Sequence, residues 1–212
     1  FSALAFRFFL VALGFLIFSF FKKQKIIFPK KNIIESLLSG VLFHGFYLGG
    51  VFFAISKGMP TGITALIVSL QPILTNALAG PFLNEKITWK QWTGVILGFI
   101  GAALVLGFDI GENIPFIGLI ASFIALIAIT TSTLWQKKLS YNMPLSVSNM
   151  YQAFGGCLFH VVIILLFVEP YINFTTTFII AMSHQILLVS FGAFTILMYL
   201  IKIGTASKTS NL

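Results

Sequence analysis

Seven polar or aromatic side chains, Gln71, Tyr47, His44, Thr75, Trp135, Tyr151 and Gln152, sit inside the most apolar parts of this chain, and their types suit the binding of a small molecule. His44 and Tyr47 are three residues apart, a spacing that puts both on one face of an α-helix. Gln71 and Thr75 continue a stripe that starts at Thr64 and Val68, and Pro72 beside Gln71 opens the backbone ladder, so that freed carbonyls could accept a bond. Trp135 follows Thr131 by four, and Tyr151, Gln152 and Gly155 fall together in a later run. Aromatic faces with a few amides and hydroxyls are the usual makeup of a small-molecule cavity. Each residue also has a structural reading. Tyr47, Trp135 and Tyr151 are the type that packs between helices or anchors at a membrane interface. His44 has no carboxylate in its own run, which favours an interhelical hydrogen bond over a proton relay. Gln71, a central amide beside a proline, is the best single candidate, because a buried amide needs partners.

Nothing comparable points to catalysis. The acidic residues all lie at or near loops, the three histidines lack an HxxE, HExxH or His-Asp companion, and the serines lack a glycine elbow. No nucleophile with its base, carboxylate pair or ligand set is visible. Cys157 is the single cysteine and lies in an apolar run, so no disulfide can form within the chain, no metal spacing exists, and no cofactor is expected. An integral-membrane enzyme would need chemistry from helices outside this sequence. A non-transporting scaffold or channel subunit is the remaining class, although a channel favours a ring of repeated polar residues.

The elements that must position these side chains are apolar runs near 1–21, 36–56, 61–83, 91–108, 115–135, 145–168 and 179–201. About 20 helical residues span a hydrocarbon core roughly 30 Å thick, and unpaired amides in lipid would cost several kcal/mol each. With 58% hydrophobic residues, 8% charged residues and a mean hydropathy of +1.02, the chain has too little polar surface to cover a soluble globule. The expected fold is all-α, a polytopic membrane helix bundle.

The net charge of +8 comes from lysines in short clusters between the runs, with no basic helix or aromatic-interleaved patch to follow a phosphate backbone, so nucleic acid is not an expected partner. Lys22, Lys23, Lys25, Lys30 and Lys31 follow the first run, Lys86 and Lys90 the third, Lys137 and Lys138 the fifth, and Lys202 and Lys208 the seventh. The opposite loops hold Lys57, Asp109, Glu112 and Glu169. This bias predicts an outside start and a cytoplasmic end. The first run carries its charges after the apolar stretch and has no small-residue cleavage site, which predicts a retained helix rather than a signal peptide.

The chain begins at Phe1 inside an apolar run and stops at Leu212 just past a helix-start pattern from Gly204, which predicts a fragment of a longer protein. An internal repeat agrees: residues 54–66 lie over 200–212, matching at Ile55/Ile201, Gly58/Gly204 and Leu66/Leu212, with the same alternation of apolar run and glycine break. At that offset five helices separate equivalents, and an odd number reverses orientation, as in the inverted repeats of many secondary transporters.

From Gln71 to Leu104 the chain has an internal proline at Pro72, Glu85-Lys86 at a helix end, then Gly94, Gly98 and Gly101. This pattern, with Arg7-Phe8 early in the first run, resembles the EamA-type repeat of the drug/metabolite transporter superfamily. The resemblance covers essentially the whole chain as helices two to eight of ten. Asn84 departs from it, standing where the family usually has glycine, which bears on helix capping. The resemblance implies two inverted five-helix repeats, 1–110 lacking its first helix and 111–212 lacking its last two. It also implies a secondary carrier of small metabolites or drugs, multi-pass in the bacterial inner membrane, working by alternating access around a mid-membrane site. Oligomeric state is not implied.

Three further expectations concern packing. Gly94, Gly98 and Gly101 form a small-residue face that would let another helix approach closely. Arg7, near the outer end, would snorkel toward water, or else meet an anionic substrate. Gly155-Gly156 reads as a packing notch or a flexible point.

Overall fold

Each apolar run forms a helix in the computed structural model, which describes residues 1–84, 88–106, 114–139, 143–167 and 169–204. The helices are α1 (Ser2–Phe21), α2 (Lys30–Ser56), α3 (Thr61–Leu83), α4 (Trp89–Leu106), α5 (Phe116–Leu139), α6 (Leu145–Phe167) and α7 (Thr176–Ile203). No strand occurs among the described residues. Within them, six helices are long and apolar enough to cross a membrane, and α4 adds a further helix of 18 residues. The fold is the expected all-α polytopic bundle. Glu85-Lys86, Asp109, Glu112, Lys208 and the helix-start pattern after Gly204 lie outside the described residues.

Two helices contain wider, π-helical turns, Val41–Gly49 in α2 and Gln185–Ala193 in α7. A third, α3, is broken. Its pieces are Thr61–Val68 and Gln71–Leu83, joined through Ser69 and Leu70. Pro72 causes the break: it has no N–H to give the Val68 carbonyl, and its ring crowds the preceding turn. Ser69 adds to it by turning its hydroxyl back to the Leu66 carbonyl at 2.7 Å, while the Leu70 N–H tightens onto Ile67 at 3.1 Å. The proline then suits the first turn of the second piece, where its missing N–H would have no intrahelical partner.

The second piece ends at Asn84, in the left-handed conformation with φ of 54°, its N–H on the Gly80 carbonyl at 3.0 Å. After glycine, asparagine is the residue that most readily takes this cap, so the departure at this position preserves the helix stop.

By its contacts the chain forms two compact units, one comprising Phe1–Gly45 and Gln136–Ile203, the other built mainly of Phe46–Trp135. Both divisions fall inside helices, in the π segment of α2 and near the end of α5, so these two helices supply residues to both units.

In the first unit, burial is inverted relative to a soluble protein. On α6, Asn149 and Gln152 are 1% and 0% exposed, whereas Leu165 and Phe167 are 77% and 75% exposed. Polar groups inward and large apolar groups outward is the arrangement a helix takes in lipid, where only the bundle interior offers hydrogen-bond partners. Close approach of α2 and α6 rests on glycines, Gly45 against the Phe159 side chain among them. A Cβ at Gly40 would strike the Gln152 backbone, one at Gly155 the Leu37 backbone, and one at Gly156 the His44 side chain. Gly155-Gly156 is therefore a packing notch. The same unit brings residues of several lysine-rich loops to one end: Ser146 donates to the Gln24 carboxamide, and Lys137 Nζ donates to the carbonyls of Ile201 and Lys202 at 2.9 and 3.2 Å. That is the side-sharing expected from the lysine pattern.

In the second unit, Ala54, Met59, Ile67, Ala121 and Leu126 form a core between the end of α2, the first piece of α3 and α5. Ala79 and Leu134 continue it lower down between α3 and α5.

Candidate functional site

A cavity of about 740 Å3 lies in the second unit, walled by Tyr47 of α2, the broken stretch of α3, the glycine face of α4 and Ile129 of α5. Its size falls within the range of small-molecule sites. The break in α3 supplies its central polar features. Thr64, Val68, Ser69, Gln71 and Pro72 all line it, so three of the four residues of the stripe read from the sequence, Thr64, Val68 and Gln71, face one space despite the interruption. Thr64 spends its one hydroxyl proton on the Pro60 carbonyl at 3.2 Å, which leaves it an acceptor only. Val68 presents a carbonyl that Pro72 cannot satisfy. Gln71 is held by one bond, from Nε2 to Thr133 Oγ1 at 3.1 Å, and its Oε1 has no partner among the described residues. The positive end of the second α3 piece begins at the same place, a combination of helix terminus and unwound carbonyls that suits polar ligand groups in the membrane.

The α4 wall corrects a sequence expectation. A Cβ placed on Gly94, Gly98 or Gly101 would meet nothing within 4 Å, and Gly94 and Gly98 border the cavity. Among the described residues this face borders space and receives no helix, whereas glycines such as Gly40, Gly45, Gly155 and Gly156 are closely packed. The motif alone could not separate the two, since small residues serve both purposes. Lys90 and Gln91, at the start of α4, also line the cavity and were not among the expected contacts. Ser69 was missed as well, although its adjacency to the Pro72 break was a usable signal.

The other expected residues lie elsewhere. Thr75 is fully buried one turn beyond Gln71, its hydroxyl without a partner among the described residues, and it does not line the cavity. Trp135 is half-buried near the end of α5, and Thr131, expected beside it, is exposed. The buried threonines of that helix are Thr130 and Thr133, each donating to the carbonyl four residues back at 2.8 Å.

His44, Tyr151 and Gln152 belong to the first unit. Tyr47 lines the cavity and His44 does not, and the segment that carries both, Val41–Gly49, is π-helical, so the three-residue spacing of an α-helix does not apply to them. Its imidazole is buried against Phe8, Phe194 and Phe43, with ring centroids 4.3, 4.8 and 5.2 Å away, and neither nitrogen has a partner among the described residues. His160 reaches the His44 carbonyl at 3.0 Å. Tyr151 donates to the Ile26 carbonyl at 3.2 Å. Gln152 and Gln136 form a reciprocal amide pair, in which Gln152 Nε2 also donates to Ser148 Oγ at 3.0 Å and Gln136 Nε2 to Ser39 Oγ at 3.0 Å. All four amide N–H groups are used, so Gln152 has none left for a ligand.

Arg7 also departs from expectation. It is 8% exposed and donates through Nε and Nη2 to Ser190 Oγ at 3.2 and 3.0 Å instead of snorkelling to water. Ser190 lies in the π segment of α7.

Comparison with known proteins accords with this architecture. One solved crystal structure superposes on 99% of this chain and 71% of its own with a TM-score of 0.79 and 16% identity, which shows the fold alone. An uncharacterized transporter, YvbV, of Bacillus subtilis is 27% identical over 106 residues, covering 50% of this chain and 33% of the relative. A probable amino-acid metabolite efflux pump of Salmonella typhimurium is 27% identical over 95 residues, 44% of this chain and 32% of that protein. An S-adenosylmethionine uptake transporter of Rickettsia felis is 30% identical over 101 residues, 48% of this chain and 33% of that protein. The chain thus matches about a third of the length of each of these curated relatives. Its spanning helices and bacterial relatives make it a multi-pass integral membrane protein of the bacterial inner membrane. The EamA-like transporter family matches residues 1–107, half of the chain, and the protein belongs to that family.

Proposed function

We propose that the protein is a secondary transporter that moves small metabolites or drugs across the inner membrane by alternating access, with its substrate held in the α2–α3–α4–α5 cavity. The observation that carries this reading is the break of α3 at Ser69–Leu70, which leaves the Val68 carbonyl without a Pro72 N–H and sets Val68, Ser69 and Gln71 on a space of about 740 Å3. Irregular backbone inside a membrane is tolerated where it lines a cavity. Gln71 and Tyr47 are the substrate contacts of this proposal, with Ser69 and Gln91 beside them. His44, Trp135, Tyr151 and Gln152 then support helix packing, and Thr75 backs the Gln71 turn from below.

The relatives named for amino-acid metabolite efflux and S-adenosylmethionine uptake support a substrate that is small and carries both polar and apolar parts. In the same proposal, residues 1–110 and 111–212 belong to two inverted five-helix repeats. Those repeats divide the chain by symmetry, whereas the compact units divide it by contact.

Uptake and counterflow in proteoliposomes containing the full-length protein test the reading, using radiolabelled amino acids and S-adenosylmethionine, followed by a wider thermal-shift screen of nucleosides, drugs and cofactor-like metabolites. Saturable flux that Gln71→Ala weakens is the expected result. If no solute moves and none shifts the melting temperature, the transporter reading is lost.

A further inference from the structure

A second cavity, of about 730 Å3, lies wholly within the first unit at its lysine-rich end. Its walls include Phe15, Phe18 and Phe191, with Phe15 and Phe191 edge to face at 4.8 Å between centroids. Its polar lining includes Gln24, Ser146, Thr195 and Lys202.

The hydrogen-bond state of these groups is informative. Ser146 donates to Gln24 Oε1, which occupies the acceptor of that carboxamide and leaves its NH2 to donate. The Thr195 hydroxyl is buried and without a partner among the described residues. Lys202 has no carboxylate partner there, and its ammonium is a donor only. A second cation lies near one lining residue, Lys22 Nζ being 5.9 Å from the centre of the half-exposed Phe18 ring. Donors and positive charge therefore border an aromatic and aliphatic space. This is the complement of an anionic oxygen-bearing head joined to a hydrocarbon body. The lysine-rich end is also the side on which cytoplasmic anionic headgroups lie, where basic residues are attracted to the surface.

We infer that this cavity is a binding site for an anionic phospholipid, its phosphate held by Lys202, Thr195 and Gln24 and an acyl chain lying against Phe15, Phe18 and Phe191. The site is separate from the proposed substrate cavity and shares no residue with it.

Native mass spectrometry and thermal shift on the full-length protein in detergent test the assignment, with phosphatidylglycerol, phosphatidylcholine of the same acyl chains, and inorganic phosphate as probes. Phosphatidylglycerol is expected to be retained as a stoichiometric adduct and to raise the melting temperature, with phosphatidylcholine and phosphate having neither effect. The Lys202→Gln, Thr195→Val double variant is expected to lose phosphatidylglycerol affinity by about tenfold or more, the scale of one charge-assisted hydrogen bond. Equal retention of the two lipids by the wild-type protein overturns the proposal whether or not the variant folds. Undiminished phosphatidylglycerol binding in a folded variant also overturns it. Stabilisation by inorganic phosphate alone would make the site one for a free anion and end the lipid assignment.

Discussion

Gln71 Nε2 donates to Thr133 Oγ1 at 3.1 Å, and that hydroxyl donates in turn to the Ile129 carbonyl at 2.8 Å. The amide is thereby oriented from α5, with its carbonyl oxygen left for the cavity. Gln71→Ala removes the only carboxamide of the α3 break. Its transport KM should rise about tenfold, the worth of one well-placed hydrogen bond. Thr133→Val should raise KM less, because the amide stays but loses its anchor. Membrane insertion should be normal in both. Initial-rate uptake with quantified protein checks this, and an unchanged KM in Gln71→Ala would remove the residue from the site.

Glycines on α4 and α6 should respond differently to the same substitution. Gly98→Leu places a side chain in open space that borders the cavity, so yield should persist while transport falls. Gly155→Leu drives a side chain into the Leu37 backbone, and the folded yield should collapse. Fluorescence-detected size exclusion beside an uptake assay separates these outcomes. A loss of folded yield in Gly98→Leu would restore the packing role for the α4 face.

The Gln136–Gln152 pair makes a stability prediction. Either residue changed to alanine takes two hydrogen bonds from the other's buried amide, which keeps only its serine, at a cost of about 1–3 kcal/mol. The double variant should cost less than the sum of the two, because the orphaned partner is removed as well. Thermal unfolding in detergent over the four proteins measures the coupling, and additive effects would mean the pair is not energetically linked.

Ser190→Ala removes the hydroxyl that accepts two N–H groups from buried Arg7. A hydrogen bond to a charged group is worth about 1.5–3 kcal/mol, and the melting temperature should fall accordingly. Ser190→Thr, which keeps an acceptor, should recover most of the loss. Equal melting temperatures for wild type and Ser190→Ala would show that Arg7 draws its stability from other contacts.

Asn84 holds a left-handed cap with φ of 54°. Asn84→Gly should be neutral or slightly stabilising, while Asn84→Val should cost about 1–2 kcal/mol, the penalty for a branched L-residue in that conformation. The order of melting temperatures, glycine at or above asparagine and both above valine, is the check.

Hydropathy and loop charge determined the helices, because a bilayer imposes length and polarity on each span separately and the signal is local to the chain; the family resemblance rested on Pro72, Glu85-Lys86, the α4 glycines and Arg7-Phe8. Pro72 announced the break in α3 for the same reason: a missing N–H acts on its own turn. What only the tertiary structure decided was which polar residues meet. Gln152 and Gln71 look alike in sequence, each an amide within an apolar run, yet one has all its donors paired by Gln136 and Ser148 while the other keeps an acceptor free. Gly98 and Gly155 are equally alike, and one borders a cavity while the other touches a backbone. His44 and Tyr47 stand on a π segment, where the α-helical spacing that paired them in the sequence does not hold. Partnership and free space depend on which helices come together, and that choice is a property of the packed bundle rather than of any one run.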